Sequence, residues 1–169
     1  ENGDNRALDF FGGTLAGIAE HLDELKALGV TILYLNPVVR ARTNHRYDTG
    51  DYETVDPILG DTADFEVLAT EARRRGMRIL CDGVFSHTGA DSRYFNRYGR
   101  YPEVGAYQSR SSRYYPWYRF TDFPDHYNAW WGFYTLPALE KDNPEYRRYL
   151  LAPETGVLPL WMRRGACGW

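Results

Sequence analysis

Two short apolar runs, each preceded by a helix pattern and followed by polar residues, constrain the fold of this chain most strongly. Residues 30–35 and 77–81 are continuous and rich in branched or apolar side chains. Runs of this kind predict strands that are covered on both faces, as in a parallel sheet. A third strand is predicted to begin at Ala166. The chain therefore predicts repeated units of helix and parallel strand.

Helix patterns lie between the predicted strands. Thr14 can cap a helix that ends at Gly29, and Asp61 can cap a second helix that ends at Gly76. Asn143 precedes a proline and begins a third helix, which a later proline interrupts; a further helical segment follows over residues 156–164. The apolar residues that recur at helical spacing in the first two helices are Leu15, Ile18, Leu22, Leu25, Leu28, Phe65, Leu68, Ala69 and Ala72.

This order of elements fits either a doubly wound sheet or a closed barrel. No glycine-rich phosphate-binding motif follows either apolar run, which disfavours a nucleotide-binding sheet. A (β/α)8 barrel needs about 250 residues, and this chain has 169. We therefore predict an α/β fold that is part of a (β/α)8 TIM barrel, roughly its second to fourth strands.

A long aromatic segment interrupts the alternation of helices and strands. Residues 88–135 show no clear periodicity, and much of the chain's 16% aromatic content is concentrated there. A structureless loop of this length is uncommon in a compact domain, so we expect a small inserted lobe. The predicted division is barrel over 1–87, lobe over 88–135 and continuing barrel over 136–169. The aromatic rings of residues 88–135 fit either the core of this lobe or a sugar-binding surface.

Composition excludes several classes of protein. The net charge of −3 gives no excess of positive charge that would favour binding to nucleic acid. No apolar run is long enough to span a bilayer, and no leader opens the sequence. Cys81 and Cys167 lie in strand-like contexts without metal-binding spacing, so we expect buried, reduced thiols and a cytoplasmic protein.

Polar residues gather where the predicted strands end. Asn36 follows the first apolar run, and Asp82 to His87 follow the second. In βα barrels, active sites are built at this edge. Taken alone, Asp82 fits a strand-end carboxylate that caps the backbone or pairs with an arginine, and His87 alone fits an ordinary hydrogen-bonding group.

Taken together, five motifs in register resemble the alpha-amylase family of glycoside hydrolases. They are FFGGTLAGI (10–18), the run from Gly29-Val30 to Asn36-Pro37, HRYDTGDY (45–52), GD (60–61) and DGVFSH (82–87). LPALE (136–140) and GACGW (165–169) are similar to two further motifs of the family. The closest resemblance is to the neopullulanase, cyclomaltodextrinase and maltogenic amylase group, and it covers essentially the whole chain.

The resemblance implies a role for individual residues. It matches Tyr47 to a tyrosine that stacks on the sugar at the cleaved bond, and His87 to a histidine that hydrogen-bonds that sugar's primary hydroxyl. It matches Asp82 to an aspartate that holds an arginine and so orients the nucleophile, without transferring a proton. Trp130 and Trp131 fall where the inserted lobe would line the acceptor side of the cleft.

The resemblance also implies what these residues do not supply. Retaining glycosidases need two carboxyl groups about 5 Å apart, and in this family both follow the start of the fourth strand. We therefore expect the nucleophile and the general acid beyond Trp169, and no catalytic residue within the chain. Ser86 stands where many members have a calcium-binding asparagine. A hydroxyl is a poorer calcium ligand, so we predict no metal and no cofactor.

The predicted function is part of a retaining alpha-glucan hydrolase that binds an alpha-glucan or maltooligosaccharide but is inactive alone. The alternatives are a transglycosylase with the same machinery, a non-catalytic amylase-like module for binding or assembly, and an unrelated α/β binding domain. A partial barrel exposes strand edges that can template pairing with another chain. We therefore expect a homo-oligomer formed through barrel edges.

Overall fold

The computed structural model describes residues 6–169 and has helices and strands in the predicted order. Its α-helices are α1 (Leu15–Glu20), α2 (Leu22–Ala27), α3 (Thr62–Arg74), α4 (Pro144–Leu151) and α5 (Val157–Arg164). Its strands are β1 (Ile32–Leu35), β2 (Val39–Ala41), β3 (Thr49–Val55), β4 (Arg78–Cys81), β5 (Phe120–Asp122), β6 (His126–Tyr127) and β7 (Ala166–Gly168). Short 3-10 helices span Arg6–Leu8, Tyr115–Trp117 and Trp130–Gly132. Over the described range, no helix combines the length and the apolar character that a membrane span requires.

The central sheet is parallel, and its strand order is β1-β4-β7. Leu33 pairs with Ile79 across β1 and β4, and Ile79 pairs with Ala166 across β4 and β7. Helix α3 connects the first pair of strands, and α4 and α5 precede β7. This confirms the predicted α/β fold, a partial (β/α)8 barrel whose three parallel strands end at one common edge.

Helix α3 begins at a capping box. The Asp61 carboxylate accepts a hydrogen bond from the Asp64 backbone N–H, and the Asp64 carboxylate accepts one from the Asp61 N–H, both at 3.0 Å. These two bonds satisfy donors that a helix start leaves unpaired. Phe65 and Leu68 are completely buried on the inner face. The predicted helix is therefore confirmed, including its end at Gly76, whose φ is +78°.

The first predicted helix is divided at His21, and in this respect the prediction was wrong. Thr14 caps the start, since its hydroxyl accepts from the Gly17 N–H at 3.0 Å. The His21 N–H then bonds to the Ile18 carbonyl at 3.1 Å, which is an i→i−3 bond and not a continuing helical bond. Beyond this break Leu22 is still completely buried, but the apolar stripe does not reach Leu28, which is 81% exposed.

Caps also define the last two helices. The Asn143 side chain accepts from the N–H groups of Glu145 and Tyr146, and Pro144 occupies the first helical position. Pro153 lies in the turn between α4 and α5. Gly165 ends α5 with a φ of +115°, a conformation that favours glycine. This part of the prediction is confirmed.

Two burial predictions were wrong. Strand β1 is covered on one face only, so Leu33 is buried while Ile32 and Tyr34 are more than half exposed. The helices cover one face of the sheet, and the other face would line the interior of a closed barrel. Cys81 is buried, but Cys167 is exposed because it alternates with the buried Ala166 and so lies on the uncovered face of the sheet. Both cysteines are free thiols, and burial raises the pKa of Cys81 to about 12.

The buried rings of the aromatic segment pack against one another and continue into the core of the barrel. Tyr94 and Phe95 are completely buried, and the Phe95 ring packs edge-on against Tyr118 and Tyr127 at centroid distances of 4.9 and 4.7 Å. The other buried rings are Tyr114 and Trp117. A second group of rings is exposed: Tyr98, Trp130, Trp131, Phe133 and Tyr134. The aromatic content thus divides into core residues and surface residues.

Candidate functional site

The predicted site residues gather at the carboxyl end of the parallel sheet. Asp82 directly follows β4, and His87 follows it by five residues. Tyr47 comes from the loop between β2 and β3, which folds over the same edge. Trp130 and Trp131 arrive from the aromatic lobe. Sequence elements that are distant along the chain therefore contribute to one surface.

The loop that carries Tyr47 is held by a buried ion pair. Arg46 has a φ of +61°, in the left-handed region, and its Nε lies 3.1 Å from Asp56 Oδ2. Both side chains are almost fully buried. The Arg46 guanidinium also donates to the Asn44 carbonyl at 2.7 Å. A buried charge needs such partners, so this pair fixes the backbone immediately before Tyr47.

Asp48 holds the other side of the same loop. Its carboxylate accepts hydrogen bonds from the N–H groups of Arg42 and Thr43, and from the Thr43 hydroxyl. Asp48 is buried, and these donors occupy its oxygens. It is therefore a structural carboxylate that closes the turn, and it is not free to act on a ligand.

Two tyrosine hydroxyls converge on Asp82. Tyr47 donates to Asp82 Oδ2 at 2.8 Å, and Tyr34, on β1, donates to the same oxygen at 2.7 Å. The hydrogen bond to Asp82 is the main cause that raises the pKa of both tyrosines, that of Tyr34 to about 12. Tyr47 is 39% exposed, so part of its ring is open to a ligand.

His87 is buried and has two protein partners. Its Nε2 lies 3.0 Å from the Tyr47 carbonyl oxygen, which can only accept, so Nε2 carries the proton. Nδ1 then accepts from the Ser86 hydroxyl at 2.9 Å. Burial lowers the pKa of His87, which keeps the ring neutral. A sugar hydroxyl would have to share the Nε2 proton with the Tyr47 carbonyl.

Trp130 and Trp131 form a stacked pair beside His87. The two indole rings are parallel within 4°, with centroids 4.8 Å apart, and Trp130 lies 5.2 Å from the His87 ring. Trp130 is 37% exposed, whereas Trp131 is 83% exposed. Trp131 therefore has an open outer face, and Trp130 connects it to the histidine.

The loop that presents Trp131 is closed by backbone hydrogen bonds. The Trp130 N–H donates to the Leu136 carbonyl at 2.9 Å, and the Leu136 N–H donates to the Phe133 carbonyl at 2.8 Å. Trp131 has a φ of +49°, and the following Gly132 has a φ of +80°. A positive φ is strained for a bulky residue, and the closed loop holds Trp131 in that conformation.

Sequence reasoning missed Tyr34 and the ion pair of Arg46 with Asp56. A weak signal for Tyr34 was available, since a polar hydroxyl lay within an otherwise apolar strand. In an edge strand such a side chain can reach across to the end of its neighbour, as Tyr34 does to Asp82. The ion pair had no sequence signal, because its burial depends on tertiary packing.

The acidic residues near the lobe are already engaged or face solvent. Glu140 accepts from Arg119 at 2.8 Å. Asp142 and Glu145 are exposed. Within residues 6–169, no group of three or more histidine, cysteine, aspartate or glutamate side chains could hold a metal ion. The Ser86 hydroxyl is bonded to His87.

Comparison with known families gives a match over the full length. The model for the alpha amylase catalytic domain matches residues 1–169. An amylopullulanase from Thermoanaerobacterium saccharolyticum is 41% identical over 179 residues, which cover 95% of this chain and 14% of the relative. The chain thus spans about a seventh of that protein's length.

Two further relatives agree with this match. An intracellular maltogenic amylase from Bacillus subtilis is 40% identical over 146 residues, covering 85% of this chain and 24% of the relative. The ligand-free structure of a cyclic alpha-maltosyl-(1→6)-maltose hydrolase from Arthrobacter globiformis superimposes with a TM-score of 0.84 at 37% identity. That superposition covers 95% of this chain and 36% of the hydrolase.

Proposed function

Because the chain belongs to the alpha-amylase family, we propose that it forms the sugar-binding side of the cleft in a retaining alpha-glucan hydrolase. The observation that carries the proposal is the convergence of Tyr47, Asp82, His87 and the tryptophan pair at one edge of the sheet. Flat aromatic rings beside hydrogen-bonding groups suit a ligand with apolar faces and many hydroxyls. The ligand class is an alpha-glucan or a maltooligosaccharide.

Each residue has a distinct proposed role. Tyr47 offers its partly exposed ring to the sugar at the cleaved bond. His87, neutral and with its proton on Nε2, shares that proton with the sugar's primary hydroxyl. Asp82 accepts bonds on one oxygen and keeps the other for an arginine that orients the nucleophile. Trp130 and Trp131 line the acceptor side.

We propose that these residues do not supply the nucleophile or the general acid. Retention requires two carboxyl groups about 5 Å apart on opposite sides of the bond. Asp82 is bonded to two tyrosines, Asp48 is closed within its loop, and Glu140 is paired with Arg119. Asp82 has one open oxygen, which we assign to an arginine, and the other two carboxylates are engaged, so we place the catalytic pair in another part of the enzyme. Transfer to a sugar hydroxyl would use the same binding residues.

The purified 169-residue chain is expected to bind maltotetraose but to hydrolyse neither starch, pullulan nor cyclodextrin. Binding is followed by NMR titration and hydrolysis by release of reducing sugar. Tyr47→Ala should weaken binding about 3- to 10-fold, because it removes a stacking surface. Tyr98→Ala is the matched control, since Tyr98 in the aromatic segment is a tyrosine that is partly exposed, as Tyr47 is, and its loss should leave binding unchanged. Turnover that survives repurification would contradict the proposed division of labour.

We further propose the division of the chain into barrel (1–87), lobe (88–135) and continuing barrel (136–169). The first five residues of the first part lie outside the described residues. Support comes from the ring contacts within the middle segment, such as Phe95 with Tyr118 and Tyr127, and from its short elements, β5 and β6. Isolated bridges such as Tyr118 to Leu139 tie the lobe back to the barrel.

The isolated chain is also expected to self-associate through its strand edges. β1 and β7 each pair with β4 alone, and Ile32 on β1 is 55% exposed. Unpaired parallel strands with an uncovered apolar face template pairing, most simply as a two-fold dimer. Light scattering at micromolar concentration measures this. Ile32→Lys should shift the population towards monomer, whereas Val67→Lys, at an equally exposed position on α3, should not.

A stable, monodisperse species of 19.6 kDa for the unmodified chain would refute this edge pairing.

For location, we propose the cytoplasm. Both cysteines are free thiols, and one relative is named an intracellular enzyme. The slightly acidic net charge disfavours nucleic acid as a partner.

A further inference from the structure

Asp82 receives an unusual pair of donors, and one of them has no role in the proposed sugar contacts. The Tyr34 and Tyr47 hydroxyls both donate to Oδ2, at 2.7 and 2.8 Å. Asp82 Oδ1 accepts no hydrogen bond from residues 6–169. One carboxylate oxygen is therefore doubly occupied while the other is left open.

Tyr34 contributes little to the hydrophobic core. Its side chain is 57% exposed and lies on the uncovered face of β1, next to a surface cavity of about 660 Å³. Stabilisation by burial scales with the apolar area removed from water, so packing explains little of its presence. Its one side-chain hydrogen bond within the described residues is the bond to Asp82.

The geometry points to Tyr34 as a positioning residue that fixes the rotation of Asp82 and, through Asp82, the orientation of the Tyr47 ring. Two donors on different elements, a strand and a loop, converge on one oxygen, so the carboxylate plane cannot turn without breaking one of the bonds. Oδ1 is then presented to the open side of the site. The effect on sugar binding rests on the proposed function; the effect on Asp82 and Tyr47 does not.

The alternative is that Tyr34 merely competes with Tyr47 for the oxygen. The two roles predict opposite changes at Tyr47 when the Tyr34 hydroxyl is removed. If Tyr34 holds Asp82 in place, its loss lets the carboxylate rotate away, and the raised pKa of Tyr47 falls towards its ordinary value. If Tyr34 only competes, Tyr47 gains a stronger bond and its pKa rises further.

The test is Tyr34→Phe in the 169-residue chain labelled with ¹³C at the tyrosine ζ-carbons, with each phenol titrated by NMR. We expect the pKa of Tyr47 to fall and the affinity for maltotetraose to fall about 2- to 10-fold, the range of one hydrogen bond. Asp82→Asn marks the value that Tyr47 takes without a carboxylate. Tyr98→Phe, at an exposed tyrosine, controls for loss of a hydroxyl and should change neither quantity.

An unchanged or raised pKa of Tyr47 in Tyr34→Phe would overturn the inference. The thermal unfolding midpoint of Tyr34→Phe should stay close to that of the unmodified chain, since Tyr34 is more than half exposed. If the unmodified chain binds no maltotetraose while the pKa of Tyr47 falls as expected, the positioning role stands and the proposed function fails. If sugar binds and the pKa of Tyr47 does not fall, the proposed function stands and the positioning role fails.

Discussion

Asp56→Ala is expected to lower the free energy of unfolding by about 3–5 kcal/mol, the range for breaking a buried ion pair by removing one partner. Arg46 and Asp56 have side-chain exposures of only 10% and 3%, with a 3.1 Å contact. Removal of the carboxylate leaves the guanidinium buried with the Asn44 carbonyl as its remaining partner. It also leaves the Ile58 backbone N–H without its acceptor, because this group donates a hydrogen bond to Asp56 Oδ1 at 3.0 Å. Urea unfolding followed by circular dichroism measures the loss.

Asp23→Ala is the matched control for this variant. Asp23 also pairs with an arginine, Arg75, but its side chain is 78% exposed. Solvent and salt screen such a pair, so the midpoint of unfolding should change little. Because Arg46 directly precedes Tyr47, Asp56→Ala should also weaken maltotetraose binding, to an extent similar to Tyr47→Ala. If Asp56→Ala and Asp23→Ala had the same free energy of unfolding and the same affinity for maltotetraose, the buried ion pair would not be what holds the loop.

Trp161→Ala should destabilise the chain by about 3–5 kcal/mol, the range for removal of a large buried aromatic side chain. Trp161 on α5 is completely buried, and its ring packs edge-on against Phe65 of α3 at 4.9 Å. Its indole N–H donates to the Tyr52 carbonyl at 2.7 Å. The variant therefore leaves both a cavity and an unpaired carbonyl on β3. Denaturant unfolding gives the free energy.

Two further variants make the Trp161 prediction sharper. Trp161→Phe keeps much of the ring volume but loses the indole donor, so it should lie between the parent and Trp161→Ala. Trp131→Ala removes an indole that is 83% exposed and should not destabilise the chain. A loss below about 1 kcal/mol for Trp161→Ala would mean that α5 does not depend on this contact with α3 and β3.

Local rules predicted most of the regular structure. The Asp61 and Asn143 caps, together with Gly76 and Gly165, set the helix boundaries where the sequence indicated. Such signals act within one turn of helix, so they can be read without knowledge of the fold. The strands could be predicted for a similar reason, since short apolar runs between helix patterns usually form the parallel strands of an α/β fold.

The errors concern burial and tertiary contacts. Leu28 and Cys167 are exposed, and Ile32 and Tyr34 lie on an uncovered face. Periodicity shows which side chains share a face but not whether another element covers that face. The break at His21 likewise depends on one i→i−3 backbone hydrogen bond, which no sequence pattern predicted.

For the site, the resemblance located the residues but not their relations. Asp82, Tyr47 and His87 are in contact as a group that the motifs suggested, while their roles in binding remain predictions. The shared oxygen of Asp82 depends on the distance between a strand and a loop. The unequal exposure of Trp130 and Trp131 depends on the conformation of their loop, in which Trp131 has a φ of +49°. Neither can be read from residue identity.

Trp131 has a consequence for any attempt to make this chain more robust. Its φ of +49° suits glycine, and strain of this kind costs on the order of 1–3 kcal/mol. A screen that ranks variants by melting temperature alone would reward glycine at position 131 and discard the most open aromatic face beside His87. In this loop a backbone angle that suits glycine therefore coincides with an indole that is open to solvent. Stabilised derivatives should therefore be selected on sugar affinity and melting temperature together.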